Sequence, residues 1–198
     1  MNRVVFGVDY GSKLSGNTVL CIFDHGRIHF MSVDKGVDAD AFLLNAAHHF
    51  KPERIAIDAP LSLPGVYRGL EGCDNYHFRA ADLELNAMSP MFLGGLSARA
   101  MQLTATLKER NIEVLETYPR ALARHFKLEA LGYQGSKLAL VQCRTQLRAL
   151  LNPAIGLDCG DVTDWHHLDA LLALMSCLNY TSGTHQAFGR ADEGQIVV

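Results

Sequence analysis

The sequence lacks an excess of basic residues and any long apolar run. Its 198 residues carry a formal net charge of -3 at pH 7, so the chain as a whole creates no positive field that would attract nucleic acid. Any such partner would have to be held by a local patch. The longest stretch without charged residues, positions 170–189, is interrupted by serine, asparagine and threonine, and we therefore expect no membrane span.

The sequence also lacks paired cysteines. It contains five cysteines, an odd number, and none of them forms a CxxC motif. This pattern argues against a disulfide framework or a zinc site and favours a reducing compartment. The first apolar strand begins at residue 3, so we expect no signal peptide. We therefore expect a cytoplasmic protein.

What the sequence does contain is enough apolar material for a core. Hydrophobic residues make up 48% of the chain and charged residues 20%, which suits a single domain over residues 1–198. No internal repeat or low-complexity tract divides it. Positions 60–96 are irregular and rich in glycine, proline and methionine, so we expect an insertion there.

The alternation of apolar segments predicts an α/β fold. The predicted strands are residues 3–10, 17–23, 27–33, 54–58 and 112–117, and the predicted helices are residues 39–50, 97–110, 136–150 and 162–180. The first three strands form a meander, and right-handed crossovers place the fourth strand beside the first with the fifth beyond it. The result is a mixed five-stranded sheet in the order 3-2-1-4-5, flanked by helices. The tail GQIVV could add one edge strand.

Two aspartates end strands at the same edge of this sheet. Asp9 ends the first strand, before a glycine-lined turn, and Asp58 ends the fourth. Neighbouring strands lie about 4.8 Å apart, so the two carboxylates would face each other across one gap. Carboxylates this close repel each other unless a cation lies between them, and Mg²⁺ is typically held by one or two carboxylates. Aspartate is also common in turns after strands, so a structural role remains open.

The last predicted helix offers a third carboxylate. Asp169 borders the apolar stripe of this helix, and His166 lies one turn earlier on the same side. Asp169 could equally be a surface residue beside the core. Asp164 lies about 140° away round the helix. We expect Asp164 at the third helical position, with Asp161 as N-cap.

Glu116 is a secondary candidate for the same site. It ends the fifth predicted strand, about two strand spacings from Asp9. It could instead cap the helix that follows or form an ion pair with Arg120. The sequence alone leaves these alternatives open.

The insertion carries the residues that could contact a substrate. Arg68 and Arg79 are candidates for binding phosphate, and Tyr76 is a candidate for stacking on a base. The alternative is that the insertion only packs on the sheet, with Asp74 and Arg79 as a local ion pair. Both interpretations are compatible with the composition of this segment.

Several of these motifs together resemble a known family. The segments GVDYGS, IAIDAPLSLP, CDNYHFR, VLETYPR, WHHLDALLAL and ADEGQIVV are similar to those of the DUF429 family of predicted nucleases, which is assigned to the ribonuclease H-like superfamily. The resemblance runs from Val4 to Val198, with the motifs in the family's order. The GxDxG pattern alone is shared with actin-like ATPases, whereas IDAPLxLP combined with CDxxxR and the terminal DEG is much more specific.

The resemblance implies a ribonuclease H-like core and a metal-dependent nuclease that hydrolyses phosphodiester bonds of nucleic acid. Asp9, Asp58 and Asp169 would hold two Mg²⁺ or Mn²⁺ ions about 3.5–4 Å apart. Asp9 would bridge the ions, and His166 would be an outer ligand or proton carrier. The chain departs from ribonuclease H in one respect, because its first predicted helix contains only Asp40 where that enzyme has a glutamate.

Two other functions remain open from the sequence. A binding or scaffold protein could keep this fold without the chemistry, and the acidic charge and the missing helix glutamate favour that alternative. An actin-like or sugar-kinase relative would use GVDYGS to bind the phosphates of ATP. Such proteins need two domains around the nucleotide, and 198 residues provide only one.

Overall fold

The computed structural model describes residues 3–150 and 162–198 of the chain. Within them seven strands form one sheet: β1 (Val4–Asp9), β2 (Val19–Asp24), β3 (Arg27–Ser32), β4 (Arg54–Asp58), β5 (Glu113–Thr117), β6 (Ala187–Phe188) and β7 (Ile196–Val197). The helices are α1 (Ala39–Phe50), α2 (Ala80–Leu85), α3 (Pro90–Leu93), α4 (Gly95–Lys108), α5 (Pro119–His125), α6 (Lys137–Leu150) and α7 (Trp165–Ser182). Short 3-10 turns occupy Gly65–Arg68 and Leu128–Leu131.

The sheet is mixed, and its strands lie in the order β3-β2-β1-β4-β5-β7-β6. β1, β4, β5 and β7 run parallel to one another, while β2, β3 and β6 pair antiparallel with their neighbours. The predicted α/β class with a mixed sheet is confirmed. The predicted number of five strands is wrong, because β6 and β7 extend the sheet beyond β5. Each has only two residues, too few to give an alternating pattern.

The start of α7 differs from the prediction. The helix begins at Trp165, and Asp164 is its N-cap, with Oδ1 accepting a hydrogen bond from the backbone N–H of His167 at 2.9 Å. The prediction placed Asp164 inside the helix behind Asp161, which lies outside the described residues. The reason for the difference is that the Asp164 side chain satisfies a backbone donor of the first turn, which only a residue at the helix entrance can do.

Two apolar clusters cover the two faces of the sheet. Phe6 and Val8 of β1 face one side, where α1 and α4 supply residues such as Leu43 and Leu103. Val5 faces the other side, where α5, α6 and α7 close the core. The alternation of side chains along the strand therefore produces three layers, with helices on both faces. Among the described residues, no helix combines the length and the apolar character needed to cross a bilayer.

Gly7 allows α7 to lie directly against β1. A Cβ atom at this position would lie 2.0 Å from the backbone nitrogen of Leu174 and 2.4 Å from the carbonyl oxygen of Ala170. No side chain fits in that space, so a strand glycine here marks a close approach of two backbones. The contact places Asp169, the neighbour of Ala170, beside the carboxyl end of β1.

Candidate functional site

Asp9 and Asp58 lie opposite each other at one edge of the sheet. They are direct partners in the register of the parallel strands β1 and β4. The predicted face-to-face arrangement is therefore present, at a strand spacing of about 4.8 Å. Both residues line a pocket of about 290 Å³ at this edge.

Asp169 reaches the same place from α7 and is held by a tight turn. It is 6% exposed, and the hydroxyl of Tyr133 donates a hydrogen bond to its Oδ1. The side-chain amide of Gln134 donates to Oδ2 at 3.1 Å. Gln134 has a φ of 61°, which is uncommon outside glycine and typical of a tight turn.

Tyr133 and Gln134 were not predicted as neighbours of the site. Gly132 and Gly135 flank the pair and could have indicated a tight turn. Nothing in that pattern shows which side chain the turn faces, because its position is set by the packing of α5 and α6. These two residues fix the orientation of the Asp169 carboxylate.

His166 connects α7 to β1. Its Nδ1 lies 2.6 Å from Oδ2 of Asp9, and its side chain is about half exposed. The hydrogen bond with Asp9 raises the pKa of His166 above its usual value. A histidine that is bonded to a site carboxylate and open to solvent can exchange protons with the pocket.

Burial and neighbouring charges raise the pKa values of the three carboxylates. Burial, followed by the charges of Asp9, Asp169 and Glu116, raises the pKa of Asp58 well above its usual range. Burial raises the pKa of Asp169 to about 7, although its hydrogen bonds with Tyr133 and Gln134 oppose the rise. Burial also raises the pKa of Asp9, against the effect of its bond to His166. Such a cluster favours a cation or shared protons.

The three carboxylates offer oxygen ligands, which divalent cations such as Mg²⁺ prefer. Within residues 3–150 and 162–198, no group of three or more His, Cys, Asp or Glu side chains has the arrangement of a metal site. The carboxylate of Asp169 accepts hydrogen bonds from Tyr133 and Gln134, and that of Asp9 is bonded to His166. The carboxylate of Asp58 accepts no hydrogen bond from the described residues. The donor chemistry and the charge of the three partly desolvated carboxylates nevertheless suit a hard cation such as Mg²⁺ or Mn²⁺.

The start of α5, directly after β5, contributes two further residues that were not predicted for the site. Tyr118 and Arg120 line the pocket together with Asp9 and Asp58. Arg120 is exposed and pairs with Glu129 at 3.2 Å. The signal was available, because the start of α5 follows a parallel strand and must therefore lie at the same edge.

A second, smaller pocket of about 70 Å³ adjoins the first and shares Asp58, Met88 and Tyr118 with it. Thr117 lines this pocket and is 2% exposed. Its hydroxyl has no hydrogen-bond partner among the described residues. The Thr117 hydroxyl is therefore available to form a hydrogen bond with a water molecule or a ligand in the cleft beside Asp58.

Glu116 and Arg79 form a buried ion pair, which corrects two predictions. Arg79 is 0% exposed, and its guanidinium donates to both oxygens of Glu116 at 2.6 and 2.7 Å. It also bonds Asp82 and Ser62. Burial alone would lower the pKa of Arg79, but its bonds to Glu116 and Asp82 raise it above the usual value. Arg79 therefore has no donor left for a phosphate, and its partner is not Asp74.

Glu116 likewise does not have either of the partners predicted for it. Besides Arg79, it accepts a hydrogen bond from the backbone N–H of Leu61 at 2.8 Å. It neither caps α5 nor binds Arg120, because its side chain points into the base of the insertion. Its position supports a structural role that holds the insertion against β5.

Asp40, the only acidic residue of α1, is also engaged. Arg99 donates to both of its oxygens, at 2.7 and 3.1 Å, and the hydroxyl of Tyr10 donates to it as well. The Arg99 guanidinium lies over the Tyr10 ring, 4.8 Å from its centroid. This cluster fixes the turn that follows Asp9.

Arg68 and Tyr76 lie on the surface of the insertion, outside the two pockets that contain Asp58. Arg68 is exposed and donates to the carbonyl oxygen of Glu193 at 2.6 Å. Tyr76 is 59% exposed and packs edge-to-face on Tyr67. Their contact with a substrate stays a prediction.

Comparisons with known proteins add no assignment: no protein-family model matches the chain, and no curated protein matches it. The resemblance to the predicted nucleases therefore stays a prediction.

Proposed function

We propose that the chain is a metal-dependent phosphodiesterase that hydrolyses nucleic acid. The observation that supports this proposal best is the convergence of Asp9, Asp58 and Asp169 at the carboxyl edge of a parallel strand pair. Proteins rarely place three carboxylates together in a partly desolvated pocket without a positive partner, because each charge raises the cost of the next. A divalent cation and a phosphate group would satisfy both the charge and the open pocket.

The residues of the chain have distinct roles in this proposal. Asp9, Asp58 and Asp169 would hold the ions, and Tyr133 and Gln134 keep the carboxylate of Asp169 in place. Bound Mg²⁺ or Mn²⁺ would supply Lewis acidity toward phosphate and lower the pKa of water.

The other two groups act from the sides of the pocket. His166 would carry protons between the pocket and solvent. Arg120, at the rim of the pocket, would bind a non-bridging phosphate oxygen.

The finer assignments belong to the same proposal. A β1–β2–β3 meander followed by parallel β4 and β5 supports a ribonuclease H-like relationship. The free state of Cys21, Cys73, Cys143 and Cys177 among the described residues supports a cytoplasmic location. The ribonuclease H-like relationship alone does not establish the activity, since a fold does not fix function.

The direct test is hydrolysis of a fluorescent oligonucleotide and of bis(p-nitrophenyl) phosphate, a simple phosphodiester, in millimolar MnCl₂. Wild type should cleave both, while Asp58→Asn and Asp169→Asn should reduce the rate at least a hundredfold, which corresponds to about 2.7 kcal/mol of transition-state stabilisation. Asp34→Asn, at an exposed aspartate outside the site, is the matched control and should keep full activity. Cleavage that persists in both site variants would contradict the proposal.

One observation favours the non-catalytic alternative. Both oxygens of Asp169 already accept hydrogen bonds, and no described group of acidic side chains has metal-site geometry. A scaffold protein would retain this arrangement without binding a cation. Thermal denaturation separates the possibilities: Mn²⁺ at a hundred times its dissociation constant should add about 2.7 kcal/mol of stability. Stabilisation by ATP alone would indicate the kinase relative, and no response to either would indicate the scaffold.

A further inference from the structure

Exposed apolar side chains are concentrated in the insertion. Eleven large apolar residues are exposed among the described residues, and six of them lie within positions 67–92. Those six are Tyr67, Tyr76, Leu83, Met88, Met91 and Phe92. On most proteins, exposed apolar residues are scattered singly, so a concentration of this kind is typical of a binding surface.

Five residues of this segment form what we call the aromatic strip: Tyr67, Tyr76, His77, Met88 and Phe92. Tyr67 and Tyr76 pack edge-to-face, with ring centroids 5.7 Å apart. His77 lies nearly parallel to Phe92 at 6.0 Å. Phe92 is 64% exposed and Tyr76 is 59% exposed, so both rings keep large surfaces open to solvent.

The strip begins at the pocket that Asp9 and Asp58 line. Met88 lines both pockets that contain Asp58. The next residue, Ser89, donates a hydrogen bond from its hydroxyl to the carbonyl oxygen of His77, and His77 stacks on Phe92. These contacts connect the pocket with the ring of Phe92, and Tyr76 directly precedes His77 in the chain.

The charges around the strip do not suit the backbone of a duplex. Within positions 60–96, the exposed charged residues are one arginine, Arg68, and three acidic residues, Glu71, Asp74 and Glu84. Arg79 and Asp82, the remaining charged residues of the segment, are buried. Duplex binding depends on several Lys or Arg contacts to phosphates. The strip offers ring faces instead, and only unpaired bases have free faces to stack on them.

We propose that the aromatic strip binds unpaired bases of a single-stranded nucleic acid and so brings its backbone to the pocket. This inference rests on the proposed function and defines its substrate class. Binding would come mainly from stacking rather than from charge. The affinity should therefore depend only weakly on salt, with a slope of log K against log[salt] of about -0.7 to -1.4, as expected for one or two phosphate contacts on a single strand.

The test is fluorescence anisotropy with a labelled 12-nucleotide single strand, in EDTA so that the probe is not consumed. Wild type should bind the single strand at least tenfold more tightly than a duplex of the same sequence. Phe92→Leu combined with Tyr76→Leu keeps apolar area but removes both rings, and it should weaken binding about tenfold or more. Leu138→Ala, at an equally exposed residue of α6, is the control and should bind as wild type does.

Equal affinity for the duplex, unchanged binding by the double variant, or a steep salt slope would each overturn the inference. A dimer that dissociates in the double variant, seen by sedimentation, would overturn it as well, because the strip would then be covered by a second copy. Bis(p-nitrophenyl) phosphate has no base to stack, so its Asp58-dependent hydrolysis in Mn²⁺ tests the proposed function separately. Hydrolysis without single-strand binding would support the proposed function and contradict the role of the strip. Binding without hydrolysis would support the role of the strip and contradict the proposed function.

Discussion

Glu116 and Glu113 lie on the same strand, and each pairs with an arginine in a different environment. Glu116 is buried against Arg79, which is also buried, whereas Glu113 is 43% exposed in its pair with Arg54. Breaking a buried pair leaves the other charge without compensation, while water replaces a lost surface partner. The two positions therefore allow a matched comparison of buried and exposed ion pairs within one strand.

We expect Glu116→Gln to lower the free energy of unfolding by about 3–5 kcal/mol, because Arg79 would keep its charge with only Asp82 as ionic partner. Glu113→Gln should lower it by less than about 1 kcal/mol. Urea denaturation of both variants beside wild type measures the difference. Similar, small losses for the two would show that Glu116 is not needed to hold Arg79.

The pKa of Asp169 predicts a pH dependence of stability in the metal-free protein. Its folded pKa is about 7, against about 3.9 in an unfolded chain. Between these values the folded protein binds more protons than the unfolded chain, so its stability falls as the pH rises from about 4 to about 7. His166 acts in the same direction, because its raised pKa gives stability at low pH that is lost as the pH rises.

In EDTA, wild type should lose stability between pH 5 and pH 7.5, and Asp169→Asn should lose less. The free energy of unfolding should fall over this interval by on the order of 2 kcal/mol less in Asp169→Asn than in wild type. Chemical denaturation at the two pH values measures this change in slope. The exposed control Asp34→Asn should follow the wild-type profile. A loss of stability in Asp169→Asn at pH 7.5 would mean that its carboxylate supports the fold.

At the scale of elements, the contact between β1 and α7 depends on Gly7. A methyl group there would overlap the helix backbone at Leu174 and Ala170, and backbone atoms cannot move aside as the end of a flexible side chain can. The strand and helix would have to separate. Because Asp9 lies on one element and Asp169 on the other, their separation would also open the site.

We expect Gly7→Ala to lower the free energy of unfolding by about 1–3 kcal/mol or more and to weaken the thermal response to Mn²⁺. Gly95→Ala is the matched control, since a Cβ atom at Gly95 would contact nothing within 4 Å. It should be neutral or slightly stabilising. Equal stability of the two variants would show that α7 can shift without cost.

The elements differ in how far they could be predicted from sequence. The long strands and α1 have the expected boundaries to within two or three residues, because apolar periodicity determines them locally. β6 was not predicted and β7 only as a possible edge strand, since a two-residue strand forms only when a neighbour is present to pair with. The burial of Arg79 was not predictable either, because its partner Glu116 lies 37 residues further along the chain.

At the scale of the whole molecule, the topology explains why the pairing of Asp9 with Asp58 could be predicted. Adjacent parallel strands bring their carboxyl ends to one edge whatever their side chains are. The partners of Asp169 followed from no such rule, because a turn near Tyr133 can face several directions. Topology therefore identified the edge at which ligands bind, while tertiary packing decided which side chains surround the carboxylates.

The whole molecule also ties its tail to the insertion. Glu193, 4% exposed, accepts hydrogen bonds from the backbone N–H groups of Gly65 at 2.7 Å and Ala80 at 2.8 Å. The segment that carries the aromatic strip is thus fastened to the loop before β7. This arrangement supports a rigid platform for bases rather than a loop that orders only on binding.

The close packing of β1 and α7 has a consequence for the time course of folding. The hydrogen bond between His166 and Asp9 joins residues 157 positions apart, and β1 pairs with β4 across a crossover. Such distant contacts cost loop-closure entropy before they return any stability, and this cost slows folding. The β1–β2–β3 meander can form early from local contacts. The carboxylate cluster forms only when α7 docks, so stopped-flow refolding should show the Mn²⁺ response appearing with the last phase rather than the first.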